Sequence, residues 1–279
     1  MKTVKDIVAQ KSKQERITML TAYDYSMASF LDEAGIDIIL VGDSLANVVL
    51  GLKSTTEVGM NEMLHHTRAV VRAVKNALVV SDMPFDSYQL GPQAAVDNAR
   101  KFIEEGCQAV KLEWFEDCPK VVSAIVKAGI AVMGHVGLTP QTAQDIGGMK
   151  VQGKDAATAK AIIKNAKVMQ DSGCFSVVLE CIPREVAQVI TGQLKIPTIG
   201  IGAGPDCDGQ VLVIHDVLGL FSRYQPKFSK KYADLGPQIL QAVKQYKMEV
   251  TSGQFPDDAH SFHLDKTVIL SEAKDLKGS

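Results

Sequence analysis

The sequence predicts a closed (β/α)8 barrel of the TIM type, in the α/β class and built as a single domain, on three observations. Short runs of branched apolar residues, the mark of strands buried on both faces, alternate with stretches of helical periodicity, and eight such runs are present. Several stop abruptly at a carboxylate, as where Ile38-Ile39-Leu40-Val41-Gly42 gives way to Asp43 and Ser44. The length of 279 residues, 46% hydrophobic and 22% charged, suits one barrel of roughly 250 residues. An open doubly wound sheet, the competing α/β architecture, should carry G-x-G-x-x-G after its first strand, and no such pattern is there.

The elements follow in order. A helix over about Thr3–Lys11 precedes the first strand, Ile17–Ala22, and Tyr23-Asp24-Tyr25 leads into a helix through Ser26–Ala34. Ile36–Val41 is the second strand; the stretch Leu45–Gly59 is long for a βα connection, which favours a functional loop. From Asn61 to Asn76, Met63, Leu64, Val70, Val71 and Val74 recur at helical spacing. The third strand, Ala77–Asp82, is closed by Pro84, which has no place in a central strand. A helix over Gln93–Glu105 ends at Gly106, and the fourth strand is Ala109–Glu113. Side chains alternate across a strand, so Lys111 and Glu113 share one face while Val110 and Leu112 take the other. Two charges on one face of a central strand must look into a polar rim.

Helix Pro119–Ala128 ends at Gly129, strand five is Ile130–His135, and Ile146–Gly153 is a second glycine-rich loop. Helix Ala156–Ser172 stops at Gly173, strand six is Phe175–Glu180, and Pro183 opens the next helix. Strand seven is Thr198–Gly202, strand eight Gln210–Asp216, and the last helix Leu235–Val250. Residues 1–263 are thus expected to form the catalytic barrel with its N-terminal helix. Residues 264–279 form a polar extension expected to lie on the surface or to be disordered.

A net charge of −2 and a pI near 6.3 leave no broad basic surface for nucleic acid or an anionic membrane, so small-molecule chemistry is expected. No apolar run approaches the roughly 20 residues of a membrane span, and the first residues lack the apolar core of a signal peptide. A cytoplasmic location is expected. The five cysteines form no C-x-x-C pair and read as buried, reduced thiols.

Strand ends of a barrel converge on one mouth, which makes Asp24, Asp43, Ser44, Asp82, Lys111, Glu113, His135, Glu180 and Asp216 neighbours. Carboxylates crowded in this way repel unless a cation sits among them. Oxygen donors favour a hard ion, Mg2+ first and Mn2+ second, and Asp43, Asp82 and Glu113 are the candidate set. Taken singly, each acid is equally well explained as solvated or as a helix cap. Lys111 can pair with Glu113, bind an anionic substrate or form a Schiff base, and the anion reading is favoured because a metal would neutralise the acids beside it. His135 is a donor in the site or a satisfied strand-end histidine, and the sequence does not choose between them. Gly200–Gly204 is a weak match to a phosphate cradle, since glycines serve close approach of many kinds. His65-His66 reads as structural or surface, and His260 and His263 belong to the tail.

The assembled motifs VGDSLANVVLG (Val41–Gly51), SDMPF (Ser81–Phe85), AVKLE (Ala109–Glu113), GHVGLTPQ (Gly134–Gln141), GGMKVQG (Gly147–Gly153), LECIP (Leu179–Pro183) and IPTIGIGAGPDCDGQVLVIHD (Ile196–Asp216) are similar to those of the ketopantoate hydroxymethyltransferase (3-methyl-2-oxobutanoate hydroxymethyltransferase) family. The resemblance runs from about Ile17 to His263. It implies Mg2+ bound directly by Asp43 and Asp82, with Glu113 in the metal site through water. It further implies that Asp43, Ser44, Asp82 and Lys111 hold the 2-oxo acid and that Glu180 is the catalytic base. The implied reaction moves a hydroxymethyl group from 5,10-methylenetetrahydrofolate to 3-methyl-2-oxobutanoate, giving 2-dehydropantoate in pantothenate biosynthesis. A homo-oligomer, often a decamer, is the implied assembly. Where the family usually has Gly-Gly after the acid at 113, this chain has Trp114-Phe115. The enzyme alternative is a Mg2+-dependent C–C lyase or mutase acting on a 2-oxo acid, but the K-x-C-G motif common in those enzymes is absent.

Overall fold

Eight parallel strands close on one another in chain order: β1 Ile17–Thr21, β2 Ile38–Val41, β3 Leu78–Asp82, β4 Ala109–Glu113, β5 Ala131–Gly137, β6 Ser176–Glu180, β7 Thr198–Ile201 and β8 Gly209–Leu212, with β8 pairing back to β1. This is a computed structural model that describes residues 1–143, 148, 150–220 and 226–263. The extension 264–279 and parts of the second glycine-rich loop, Gly147 and Met149 among them, lie outside the described residues.

The period of two along each strand sorts the side chains into two cores. Ile17, Met19, Ile38, Leu40, Leu78, Val80, Ala109, Met133, Val178, Ile199 and Val211 fill the barrel interior. The alternate residues, such as Ile39, Val79, Val110, Leu112, Val132 and Val177, join the surrounding helices in the outer core. Toward the C-terminal ends the inward series turns from apolar to polar on β3 to β6. The parallel register brings those polar positions together, with Asp82 opposite Lys111, Glu113 opposite His135 and Gly137 opposite Glu180.

The other end of the barrel is sealed. Helix Val4–Lys13 is started by a capping box between Thr3 and Asp6 and sinks Ile7 into the interior core, flanked by Val4 and Val8. Two aspartates that immediately precede strands anchor it. Asp37 accepts from the Thr18 N–H and hydroxyl, both at 2.7 Å, and pairs with Lys2. Asp208 accepts from the Thr198 N–H at 2.8 Å and pairs with Lys11 at 2.7 Å. Each therefore ties a strand start to its neighbour and to the helix that plugs the floor. Asp32 works likewise on the outside, accepting the N–H groups of Lys75, Asn76 and Ala77 where the chain enters β3.

Three sequence expectations change. β8 stops at Leu212, and Ile214–Leu218 is a short helix, so His215 and Asp216 are not strand-end residues. An apolar run of this length does not distinguish strand from helix, and here the Ile214 N–H donates to Thr21 Oγ1 at 3.0 Å, outside the β ladder. β5 runs two residues past His135, because Gly137 pairs with Glu180 of β6. The loop Leu45–Gly59 carries a helical turn, Leu45–Val48, and a 3-10 turn, Thr55–Glu57. The five cysteines are buried and free, as expected.

Contacts divide the chain into two compact units, Met1–Tyr232, which holds the barrel, and Ala233–Ser279. In the second unit, helix Leu235–Ser252 ends at Gly253 in the left-handed conformation (φ +71°). The Phe255 ring then packs between Tyr246 and His260, at 5.8 and 5.5 Å.

Candidate active site

Over the polar end of the interior lies a cavity of about 220 Å³, lined in part by Asp43, Ser44, Asp82, Lys111, Glu113, His135 and Glu180. Strand β3 delivers Asp82, β4 delivers Lys111 and Glu113, β5 delivers His135 and β6 delivers Glu180, all on the inward parity. Asp43 and Ser44 come from the turn that ends β2. That turn is pinned by the Asp43 N–H, which donates to Asp82 Oδ2 at 3.0 Å.

Burial gives these charges their character. Asp82 is 2% exposed, Lys111 5%, Glu113 2% and His135 2%. Removal from water and the charge of Asp43 push the Asp82 carboxyl above the usual range, against the pull of Lys111. Burial also works against the Lys111 ammonium, but Asp82, Asp43 and Glu113 more than offset it and raise its pKa, so Lys111 stays charged. Its Nζ lies 2.7 Å from Asp82 Oδ1. Glu113 is raised by burial, with His135 opposing. His135 sits between two acids, Nδ1 3.4 Å from Glu113 Oε1 and Nε2 3.3 Å from Glu180 Oε2. Burial and Lys111 hold it down, yet Glu113 and Glu180 prevail and its pKa rises to about 9.

The linkage sign for His135 follows from that rise. A group that binds its proton more tightly when folded stabilises the fold fully below its ordinary value of 6.5 and loses this contribution as pH climbs through about 9. Denaturant unfolding of the metal-free protein is therefore expected to show stability falling between pH 6.5 and 9, and His135→Gln should flatten that fall. An identical slope in both proteins would show that His135 is neutral at the start.

Two residues that the sequence did not mark tie the site together. The Gln141 Nε2 donates to Asp43 Oδ2 at 2.8 Å, and its backbone N–H donates to Glu113 Oε2 at 3.0 Å. Its Oε1 accepts from the buried Tyr88 hydroxyl. One residue on the β5 loop thus fixes two acids, Asp43 through its side chain and Glu113 through its backbone N–H. Tyr23 plays a smaller part, its hydroxyl bonded to Ser44 Oγ at 2.8 Å. These contacts join residues far apart in the chain from loop positions without periodicity, and no local pattern announces them.

The rim candidate Asp24 and the other residues noted in the sequence fall elsewhere. Asp24 is exposed and caps helix Tyr25–Glu33, accepting from the Met27 N–H at 2.9 Å. His66 Nδ1 bonds the Tyr23 carbonyl at 2.6 Å, and His260 pairs with Asp257. The Gly200–Gly204 turn packs protein against protein. A Cβ at Gly202 (φ +63°) would lie 2.8 Å from Phe228, and one at Gly204 (φ +81°) 2.7 Å from Arg184.

Among the described residues no three His, Cys, Asp or Glu side chains gather as a metal-binding group. Asp43 and Asp82 are nevertheless joined by a hydrogen bond, and among the described residues the buried Asp82 Oδ1 faces only the Lys111 ammonium. A pair of acids so placed at the mouth of the cavity suits a Mg2+ ion, which commonly takes one or two protein carboxylates and fills its other positions with water and substrate.

The family model described as ketopantoate hydroxymethyltransferase matches residues 1–258. The chain belongs to this family. A relative in Syntrophus aciditrophicus, named 3-methyl-2-oxobutanoate hydroxymethyltransferase, is 57% identical over 261 residues, covering 93% of this chain and 96% of its own. Another of that name in Syntrophomonas wolfei subsp. wolfei is 53% identical over 268 residues, covering 96% and 97%. Among solved structures, 2,3-dimethylmalate lyase, a member of the PEP mutase/isocitrate lyase superfamily, aligns with a TM-score of 0.60 at 14% identity over 99% of both chains. Phosphonopyruvate hydrolase aligns at 0.62 and 11% identity over 99% of this chain and 97% of its own. At such identities these two establish the barrel alone. Where this chain departs from the usual ketopantoate hydroxymethyltransferase Gly-Gly, Trp114 and Phe115 are half-buried against the outer core, and the Phe115 ring lies 5.6 Å from Tyr88, behind Gln141.

Proposed function

We propose that this chain transfers a hydroxymethyl group from 5,10-methylenetetrahydrofolate to 3-methyl-2-oxobutanoate, giving 2-dehydropantoate in pantothenate biosynthesis. The observation that carries the reading is the convergence of Asp43, Asp82, Lys111, Glu113 and Glu180 on one cavity of about 220 Å³. The charged lining suits a small 2-oxo acid, and the name shared by close relatives is that of this reaction.

Asp43 and Asp82 would hold Mg2+, with Glu113 acting through water. Bound there, the ion supplies Lewis acidity to the 2-oxo group of the substrate. Lys111, a buried ammonium, meets negative charge on the substrate, and the Ser44 hydroxyl, fixed by Tyr23, offers a further polar contact. Glu180 faces the same cavity from β6 and takes the C3 proton as general base. His135 beside it places positive charge next to the carboxylate. C3 then bonds to the methylene carbon of the folate, and both C–N bonds of that carbon break. One water provides the hydroxyl. The proton from C3 and one from water end on the two folate nitrogens, which leaves tetrahydrofolate.

Assembly as a homo-oligomer, a decamer by the same resemblance, and a cytoplasmic location go with this reading. No helix among the described residues is long and apolar enough to cross a membrane. The test is product formation from 3-methyl-2-oxobutanoate with Mg2+ and the folate donor each present or omitted, followed by mass spectrometry. Product is expected only in the complete mixture. Turnover of the oxo acid without a folate would sink the reading in favour of lyase chemistry.

A further inference from the structure

The cavity has two unlike halves. The arc from β2 to β6 carries the charged groups assigned above. The arc from β7 round to β8 is apolar, with Ile201, Leu212, Val213, Pro226 and Phe228, and among the described lining residues it contains a single ionisable group, Asp216. Asp216 is 7% exposed and lines the cavity, yet its carboxylate has no hydrogen bond or ion pair among the described residues. It lies in the first turn of the short helix Ile214–Leu218, where its charge suits the helix N-terminus, but it makes no capping hydrogen bond there. Burial alone pushes its pKa up.

Its oxygens are not among the fully buried unpaired atoms, so they keep contact with the cavity, where a ligand can supply donors in place of water. The shape of the wall narrows the choice. Phe228 approaches Gly202 closely, and its ring and the Asp216 carboxylate line the same cavity. A flat ring carrying two adjacent N–H donors on one edge would stack on the apolar residues and give both donors to one carboxylate. A bidentate contact of this kind adds orientation as well as energy.

Resting on the reaction proposed above, we infer that Asp216 and the apolar arc around it form the subsite for the pterin ring of the folate co-substrate, with the carboxylate accepting from the 2-amino group and N3–H. The 2-oxo acid occupies the charged half, and the pterin enters over the β7–β8 side. The one-carbon unit is thereby carried toward C3.

The test separates the two halves of the reaction. For wild type, Asp216→Asn and Asp216→Glu, tetrahydrofolate affinity is measured by calorimetry with Mg2+ and 3-methyl-2-oxobutanoate present. C3 proton exchange of the oxo acid in D2O is followed by NMR with no folate added. Asp216→Asn is expected to weaken tetrahydrofolate by about 10- to 100-fold, the cost of losing a charged bidentate contact, with at most a small change in exchange. Asp216→Glu should recover part of the affinity. A tetrahydrofolate analogue lacking the 2-amino group should bind wild type more weakly but bind Asp216→Asn no worse than tetrahydrofolate does. Equal tetrahydrofolate affinity in wild type and Asp216→Asn would overturn the inference, and so would loss of exchange in step with folate binding, which would place Asp216 with the oxo acid. A wild type that makes product only with the folate donor, beside either of those results, would leave the reaction standing and remove only the subsite.

Discussion

Glu180→Gln is expected to abolish C3 proton exchange of 3-methyl-2-oxobutanoate in D2O, slowing it by about 10³-fold, within the range that a positioned general base contributes. The substitution keeps the shape and removes only the basicity. Binding of the oxo acid should survive, because Lys111, Ser44 and Asp82 reach the cavity from β4, the β2 turn and β3, and no hydrogen bond or ion pair among the described residues joins Glu180 to them. The contact that changes is with His135, 3.3 Å away, which would then keep Glu113 as its one acidic contact, with Lys111 nearby. NMR of the C3 proton with Mg2+ present and no folate reads the step directly. Exchange at the wild-type rate would remove Glu180 from the role of base and turn attention to the acids on β3 and β4.

The second large effect is on Asp82→Asn. Asparagine retains an oxygen able to accept the Asp43 N–H, so the β2 turn keeps its anchor while the charge beside Lys111 is lost. Breaking one side of a buried ion pair commonly costs about 3 to 5 kcal/mol. The cost here belongs at the low end, since burial already burdens the Asp82 carboxylate and Asp43 and Glu113 still face the ammonium. Mg2+ affinity, read by calorimetry, should fall at least about tenfold, as one of two carboxylate ligands is gone. A pH signature accompanies it. A carboxyl raised above its usual range must lose a proton to bind a cation, so wild-type affinity should climb with pH through that raised value, and Asp82→Asn should lose the climb. Unchanged affinity in the variant would take the ion away from Asp82.

The placement of the residues behind both effects is readable in the sequence. Alternation along Ala109–Glu113 put Lys111 and Glu113 on one face, and the inner and outer cores divide at those positions. Strand ends at Asp82 and Glu180 were legible because Pro84 and Pro183 stop the chain from continuing. Less was legible at the last strand, where an apolar run hid the change from strand to helix before His215 and Asp216. Asp24 looked like a rim residue and is a helix cap, since a carboxylate after a strand serves either purpose and only its exposure decides.

What the sequence by itself determined is local: the period of each element, the residues that end it and the inward parity of each polar side chain, all set by backbone sterics within a few residues. Tertiary structure alone decided which of those side chains meet. The register that sets Asp82 against Lys111 and Glu113 against His135 comes from closing eight strands into one ring, a condition on every strand at once. Gln141 could bridge Asp43 and Glu113, and Asp216 could line the cavity without a donor among the described residues, only after that closure had brought distant loops to one mouth.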